Sequence, residues 1–455
     1  MLRLRQSAQS VGMRAAFFRA AFFSSLLASI LPACQTTMSH APVASPAASI
    51  GSSPQLPAPH TKLVPTMQVA AATGWSPGAK PQAAPGLVVD AFATGLSHPR
   101  WLYVLPNGDV LVAETNAPLR PEEDKGIKGK VMKAVQGKAG AGVPTANRIR
   151  LLRDADGDGR AETMTEFLTQ LNSPLGMALV GATLYVANTD AVMAFDYRSG
   201  DTALTGPARK LTNLPGGPLN HHWTKNILPS PDGRFLYATT GSNSNVGENG
   251  LAQEEGRAAI WQIDLKSGEK RLYATGLRNP NGLAWEPSTG ELWAVVNERD
   301  ELGDDLVPDY LTSVHEGSFY GWPYSYYGQH VDTRVSPSDP TLVAKAVAPD
   351  FALGAHVAAL GLAAGDNKLS PLYRNGMFVG EHGSWNRKPA VGYKVVFVPF
   401  AQGKPQGLPI DVLTEFVGAN GEARGRPVGV AVAKDGALLV ADDVGNTVWR
   451  VTAAH

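Results

Sequence analysis

A short unit recurs six times along this 455-residue chain, and its length and punctuation leave few folds open. Each copy reads as an apolar strand, a Gly-Leu turn, a proline, an apolar pair, a turn containing glycine, and a strand of the type Leu-Tyr-Val-Ala. The first runs from Phe92-Ala93-Thr94-Gly95-Leu96 through Pro99-Arg100-Trp101-Leu102 to Asn107-Gly108-Asp109-Val110-Leu111-Val112-Ala113. The second spans Phe167 to Ala187, the third closes on Pro231-Asp232-Gly233-Arg234-Phe235-Leu236-Tyr237-Ala238, and the fourth runs from Tyr273 to Val295. A degenerate fifth copy joins Leu360-Gly361-Leu362-Ala363 to Met377-Phe378-Val379-Gly380, and the sixth pairs Val428-Gly429-Val430-Ala431-Val432 with Ala437-Leu438-Leu439-Val440-Ala441. Short alternating strands joined by Asp-Gly or Asn-Gly turns, repeating every ~40–60 residues, mark propeller blades rather than a helical solenoid. The expected fold class is all-β, a six-bladed β-propeller. A blade cannot bury both faces of its sheet alone, so the ring must close, and Leu87-Val88-Val89-Asp90-Ala91-Phe92 is placed to complete the last blade.

Two segments precede the repeats. Arg3, Arg5, Arg14 and Arg19 lead into an apolar stretch from Ala20 to Ala33 that is too short to span a bilayer, the pattern of an export signal. Cys34 follows it and is the only cysteine. Its place after Leu31-Pro32-Ala33 resembles a bacterial lipoprotein signal, in which the cysteine becomes an acylated N-terminus; an ordinary signal peptide with an incidental cysteine is the other reading. Residues 35–85 are rich in Ala, Pro, Ser and Thr without apolar periodicity and are expected to form a disordered tether. The expected organisation is a signal peptide over 1–34, this linker, and the propeller over 86–455. The implied location is the periplasm, with membrane contact only through a lipid on Cys34. A lone cysteine excludes a disulfide within the chain. Lys plus Arg equals Asp plus Glu at 40 each, so no large field of one sign draws the chain to nucleic acid.

Three loops carry polar residues where a blade needs only turns. In Leu219-Asn220-His221-His222-Trp223-Thr224-Lys225-Asn226, adjacent side chains of an extended segment face opposite ways, so the two histidines cannot readily share one ion. One histidine facing a pocket as a general base fits better, because imidazole titrates near neutrality; a histidine capping a turn is the alternative. The second loop holds Arg278-Asn279. The third is Ala423-Arg424-Gly425-Arg426-Pro427, where alternate residues of an extended strand share a face, so Arg424 and Arg426 can aim two guanidinium forks into one site. Such forks recognise carboxylates, which points to a ligand with several carboxylates or to a dianion, against the plainer reading of solvated surface charge. Separately, Asp154, Asp156 and Asp158 alternate and are followed by glycine, as an EF-hand loop begins, although Thr165 stands where the bidentate Glu would be. A structural calcium in a blade loop is expected there.

From about residue 87 to 453 the chain resembles the soluble quinoprotein glucose/sorbosone dehydrogenases, and most of all their sorbosone dehydrogenase-like branch. The resemblance rests on His222 ten residues before Asp232 of the Pro-Asp-Gly turn, on Gly276-Leu277-Arg278-Asn279-Pro280-Asn281-Gly282-Leu283, and on Arg424-Gly425-Arg426. It rests also on Asn297-Glu298-Arg299-Asp300-Glu301-Leu302-Gly303-Asp304-Asp305 ahead of Gly317-Ser318-Phe319-Tyr320-Gly321-Trp322-Pro323. It implies a six-bladed propeller holding pyrroloquinoline quinone (PQQ) and Ca2+. His222 would be the catalytic base and Arg278 would stabilise the substrate oxygen. Cofactor contacts would come from Arg278, Asn279, Arg424, Arg426 and, in the fifth blade, Arg387 or Lys388. Backbone carbonyls near Asp300 and Glu301 would hold the cofactor's calcium, and Asn172 and His356 would lie on the substrate side.

Two departures count against glucose itself. Ser242-Asn243-Ser244-Asn245 follows Thr239-Thr240-Gly241 where glucose-oxidising relatives carry an Asp, and their sugar-contacting glutamine has no clear equivalent near Leu171-Asn172. The expected activity is oxidation of a sugar or sugar aldehyde. Haem attachment through Cys-x-x-Cys-His is impossible with one cysteine, so electrons would pass to an external acceptor. The rivals are a calcium-dependent lactonase-type propeller, which needs inward Glu, Asn and Asp ligands from several blades, and a non-catalytic binding propeller.

Overall fold

Each of the six sequence repeats supplies the inner strands of one antiparallel blade of four or more strands, and the blades follow one another in chain order. The computed structural model of the chain describes residues 46–62, 66–119, 134–366 and 368–454. The expected signal peptide and Cys34 lie outside the described residues. Among the described residues no helix is long and apolar enough to cross a membrane.

The innermost strands of blades 1 to 6 are Pro99–Val104, Met177–Val180, Ile227–Pro229, Asn279–Trp285, Ala359–Ala364 and Pro427–Val432. Each touches the next around the ring, and the sixth returns to the first. Glycines in these strands make the approach possible. A Cβ on Gly176, Gly282, Gly361 or Gly429 would lie under 3.0 Å from the inner strand of the following blade. This is why Leu-Gly-Met-Ala, Asn-Gly-Leu-Ala, Leu-Gly-Leu-Ala and Val-Gly-Val-Ala recur at that point of the repeat. Between blades the sheet faces bury apolar side chains, among them Trp293, Phe351, Phe378 and Phe397.

The ring closes where the sequence places its closing strand. Leu87–Ala93 pairs antiparallel with Thr447–Ala453, Leu87 facing Ala453 and Ala91 facing Trp449, so the sixth blade joins residues from both ends of the domain.

The segment expected to be a disordered tether behaves otherwise in its described parts. Gly51 and Ala352 exchange two backbone hydrogen bonds of 2.9 Å, and the His60 amide donates to the Leu302 carbonyl at 2.8 Å. The Gln68 amide donates to the Trp385 carbonyl at 2.9 Å and the Thr73 amide to the Ala423 carbonyl at 2.8 Å. Gln82–Ala83 adds an outermost strand to blade 5 by pairing with Thr414 and Leu413. Composition misjudges this stretch because an extended chain still offers its amides and carbonyls to loops that need partners.

Candidate active site

A cavity of about 290 Å3 lies at the end of the ring where the inner strands begin, and most of its wall comes from loops at the blade tips. Blade 1 supplies Arg100. The loop entering blade 3 supplies His221 and His222, the start of blade 4 supplies Arg278 and Asn279, and the loop after its second strand supplies Asn297, Glu298 and Asp300. His356, His382, Trp385 and Asn386 come from blade 5 and its entry, and Arg426 from the start of blade 6. Residues 135–141, inserted between the second and third strands of blade 1, form one side of the wall through Val135, Gln136, Ala139 and Ala141.

His222 is held from two sides. Its amide donates to the Ser242 carbonyl at 3.3 Å, and its Nδ1 lies 2.8 Å from that same carbonyl and 3.0 Å from the Ser242 hydroxyl. A carbonyl can only accept, so Nδ1 carries the proton and the lone pair of neutral imidazole sits on Nε2. Gly241 is obligatory beside it. A Cβ there would stand within 3.0 Å of both the His222 Cβ and the Asn279 Oδ1. Segment 221–222 is a bend, not a strand, so both histidines reach the cavity with their rings 4.8 Å apart; the expectation of opposite faces fails for that reason.

Arg278 is 3% exposed, and all five of its N–H groups meet protein acceptors. Nε donates to the Asn245 carbonyl at 3.3 Å. Nη1 donates to the carbonyls of Glu298 at 2.6 Å and Asn297 at 3.5 Å. Nη2 donates to Asn245 Oδ1 at 3.0 Å and Asp300 Oδ2 at 3.2 Å. Its charge faces the cavity, but its geometry is that of a brace between the 245 and 297–300 loops. Asn279 beside it is 7% exposed, and its Oδ1 has no protein partner.

Asp300 reaches Arg278, Asn386 Nδ2 at 2.7 Å and His356 Nδ1 at 3.4 Å. Burial opposes its charge, but the hydrogen bond to His356 and the Arg278 guanidinium outweigh burial and hold the carboxyl well below its usual range. His356, whose Nε2 donates to the Gly303 carbonyl at 2.9 Å, is raised in turn: Asp300 overcomes the effect of burial. Burial pushes the Glu298 carboxyl up to about 7, and its Oε1 is without a partner.

Arg100 was not singled out by the sequence, yet it is the cavity guanidinium with donors to spare. Nη1 donates to Asp443 Oδ2 at 2.7 Å, and Nε is buried without a partner. The visible signal was its place in the first repeat, where Ser97-His98-Pro99-Arg100 aligns with Arg278-Asn279-Pro280-Asn281. His382 was also missed. Its Nε2 lies 2.9 Å from Asp443 Oδ2, and burial lowers its pKa to about 4, against the pull of Asp443.

Several expected residues lie elsewhere. Arg426 lines the cavity, but Arg424 does not: the amides of Arg424 and Gly425 both donate to the Phe416 carbonyl, so the chain bends between the two arginines and Arg424 turns to Glu422. Arg387 is buried in an ion pair with Asp305 at 2.6 Å, and Lys388 is exposed; neither lines the cavity, to which Trp385 and Asn386 contribute instead. The Glu301 side chain pairs with Arg334 at 2.7 Å, a contact of the carboxylate and not of the backbone carbonyl expected to face calcium. Asn172 is exposed and off the cavity wall. Asp154, Asp156 and Asp158 do gather, joined by Glu162, with ligand oxygens within 4.8 Å of one another. Among the described residues this is the only such group of three or more His, Cys, Asp or Glu, and it lies outside the cavity. Glu298, Asp300 and Asp309 do line the cavity, but among the described residues no three of its carboxylates and imidazoles bring their ligand atoms within 4.8 Å of one another.

The residues present suit a planar polycarboxylate quinone. Arg100 has a spare guanidinium edge, Arg426 adds a second buried charge, and Asn279 and Asn386 carry unpartnered Oδ1 atoms at the wall.

A model of the TrAA12-like family matches residues 144–318 and 322–454. An uncharacterized protein of Borreliella burgdorferi is 26% identical over 322 residues, covering 66% of this chain and 84% of its own length. A pyrroloquinoline quinone-dependent pyranose dehydrogenase of Coprinopsis cinerea is 24% identical over 350 residues, covering 67% of this chain; the match spans less than half, 43%, of that relative. Among solved structures, the holo form of the PQQ domain of a pyranose dehydrogenase from Coprinopsis cinerea superposes with a TM-score of 0.66 at 21% identity, covering 84% of this chain and all of that one. A calcium structure of a Trichoderma reesei Carbohydrate-Active Enzymes Family AA12 protein gives the same TM-score at 20% identity, covering 86% of this chain and 99% of that one.

Proposed function

Since the chain belongs to the TrAA12-like family, we propose that it is a quinoprotein dehydrogenase that oxidises a sugar or sugar aldehyde and passes the electrons to a separate acceptor. One observation carries the reading: a single cavity sets His222, oriented through Nδ1, together with Arg100, Arg426 and the unpartnered Asn279 Oδ1. The pyranose and sugar dehydrogenases among its relatives support a sugar as substrate.

Arg100 and Arg426 would hold the carboxylates of PQQ, with Asn279 beside them on the wall. Backbone carbonyls near Asp300 and Glu301 would hold the calcium. When bound, a quinone and its calcium would supply a polarised acceptor for the carbon-bound hydrogen and its electron pair. His222 supplies the base. The substrate hydroxyl, or that of a hydrated aldehyde, donates to Nε2, and the proton moves there while Ser242 fixes the ring from the other side. Arg278 keeps the two loops that frame the reacting oxygen in register. Its charge lowers the energy of negative charge developing there, without a spare N–H to offer. Residues 135–141 narrow the opening and limit water.

The test is reconstitution of the protein with PQQ and calcium. We expect quinone binding, seen by fluorescence quenching, and reduction of an artificial dye on adding aldoses or sugar aldehydes. His222→Gln should leave quinone binding intact and lower kcat by about 10^2–10^4. Absence of quinone binding, or dye reduction unchanged in His222→Gln, would refute the reading.

A further inference from the structure

Asp443 stands behind the cavity wall in the loop that follows the second strand of blade 6, with its side chain 1% exposed. One oxygen, Oδ2, takes contacts from two other blades: Arg100 Nη1 of blade 1 at 2.7 Å and His382 Nε2 of blade 5 at 2.9 Å. His98, just ahead of blade 1, stacks a third contact on the same residue, its Nδ1 at 3.1 Å from the Asp443 carbonyl and its Nε2 at 3.5 Å from Oδ2. The other carboxylate oxygen, Oδ1, has no partner, so the bonding of this residue is concentrated on the oxygen that meets the two cavity residues. Two long side chains from separate blades would otherwise be free to take several rotamers, and a ligand would have to immobilise each. The carboxylate does so beforehand. It leaves Arg100 with Nε unpartnered and, by accepting from Nε2–H of His382, leaves Nδ1 of that imidazole as an acceptor.

We propose that Asp443 is a positioning residue for the cofactor: a single buried carboxylate that fixes Arg100 and His382 against the cavity, so that the edge recognising a polycarboxylate quinone exists only where blades 5, 6 and 1 meet. The proposal rests on the quinone reading above. Arg426 is not part of this device. It is held instead by the carbonyls of His382 at 3.1 Å and Gly383 at 2.9 Å.

Wild type, Arg100→Gln, Asp443→Asn and the double variant are titrated with PQQ in calcium buffer, with tryptophan fluorescence quenching as the readout. Each single variant should weaken binding at least tenfold. The double variant should bind at most a few-fold more weakly than Arg100→Gln, the remainder being the support that His382 loses, and well short of the product of the two losses. Losses that multiply, or Asp443→Asn binding like wild type, overturn the proposal while leaving the quinone reading intact. Wild-type protein that binds no quinone overturns the reading, and the proposal with it. If Asp443→Asn alone does not fold, the double variant, which strands no buried guanidinium, answers against Arg100→Gln: affinities within a few-fold support the proposal, and a further tenfold loss overturns it.

Discussion

Glu381 ends the second strand of blade 5, is 1% exposed, and has one oxygen, Oε2, without a hydrogen-bond partner. Burial pushes its carboxyl up to about 8, although Lys394 faces it across the strand pair and pulls the other way. A carboxyl raised above its ordinary 4.5 binds its proton more tightly in the folded state. Its contribution is therefore whole below about pH 4.5 and is lost as pH climbs through about 8. Glu381→Gln removes that dependence. Urea denaturation at pH 5 and pH 8 should show the variant gaining on wild type at the higher pH by on the order of 3 kcal/mol, and a difference independent of pH would contradict the assignment. The site residues read unevenly from sequence for a related reason. His222, Arg278, Asn279, Asp300, His356 and Arg426 reach the cavity, because each sits at a tip that the repeat itself defines. Arg424, Arg387 and Lys388 do not, because the aim of a long side chain depends on which carbonyl or carboxylate lies nearest, as Asp305 does for Arg387. Arg100 went unseen for the opposite reason: it occupies an inner-strand position that Leu175, Leu360 and Val428 fill in blades 2, 5 and 6.

Among the elements, the stretch before the propeller departs furthest from its composition. Trp75 donates through Nε1 to Asp442 Oδ2 at 2.7 Å and meets Phe416 and Trp449 edge to face, with ring centroids 5.6 and 5.5 Å away. The Asp442 carboxylate also accepts from Trp449 Nε1 and from the amides of Arg426 and Gly445, so the tryptophan closes a network at the start of blade 6. Trp75→Ala removes both the aromatic contacts and one buried donor. The expected cost is about 2–4 kcal/mol, read as a fall in Tm of several degrees; a Tm within one degree of wild type would mean that the segment adds nothing to stability. An Ala- and Pro-rich sequence gives no periodic signal, and most of the pairing that orders it is made with residues more than 200 positions away. Those partners cannot be read from a local window.

For the whole molecule, the count of blades and the closing strand were legible, because a ring of self-similar sheets leaves its period in the chain. The packing of blade on blade was not, except where inner-strand glycine marks a close approach. Closure joins Leu87–Ala93 to Thr447–Ala453, so a protein ending before Thr447 has an open ring and two exposed sheet edges. We expect that truncation to abolish the cooperative thermal transition and the near-ultraviolet circular dichroism of the full chain; an unchanged transition would show that five blades and a fragment suffice.

The Asp443 contact to Arg100 spans 343 residues of sequence. It has a consequence in time as well as in space. Arg100 is synthesised 343 residues before the group that aims it. A ribosome-bound chain carrying five finished blades thus has no organised berth for the quinone. Cofactor loading would then wait until blade 6 has been made and has docked on blade 1.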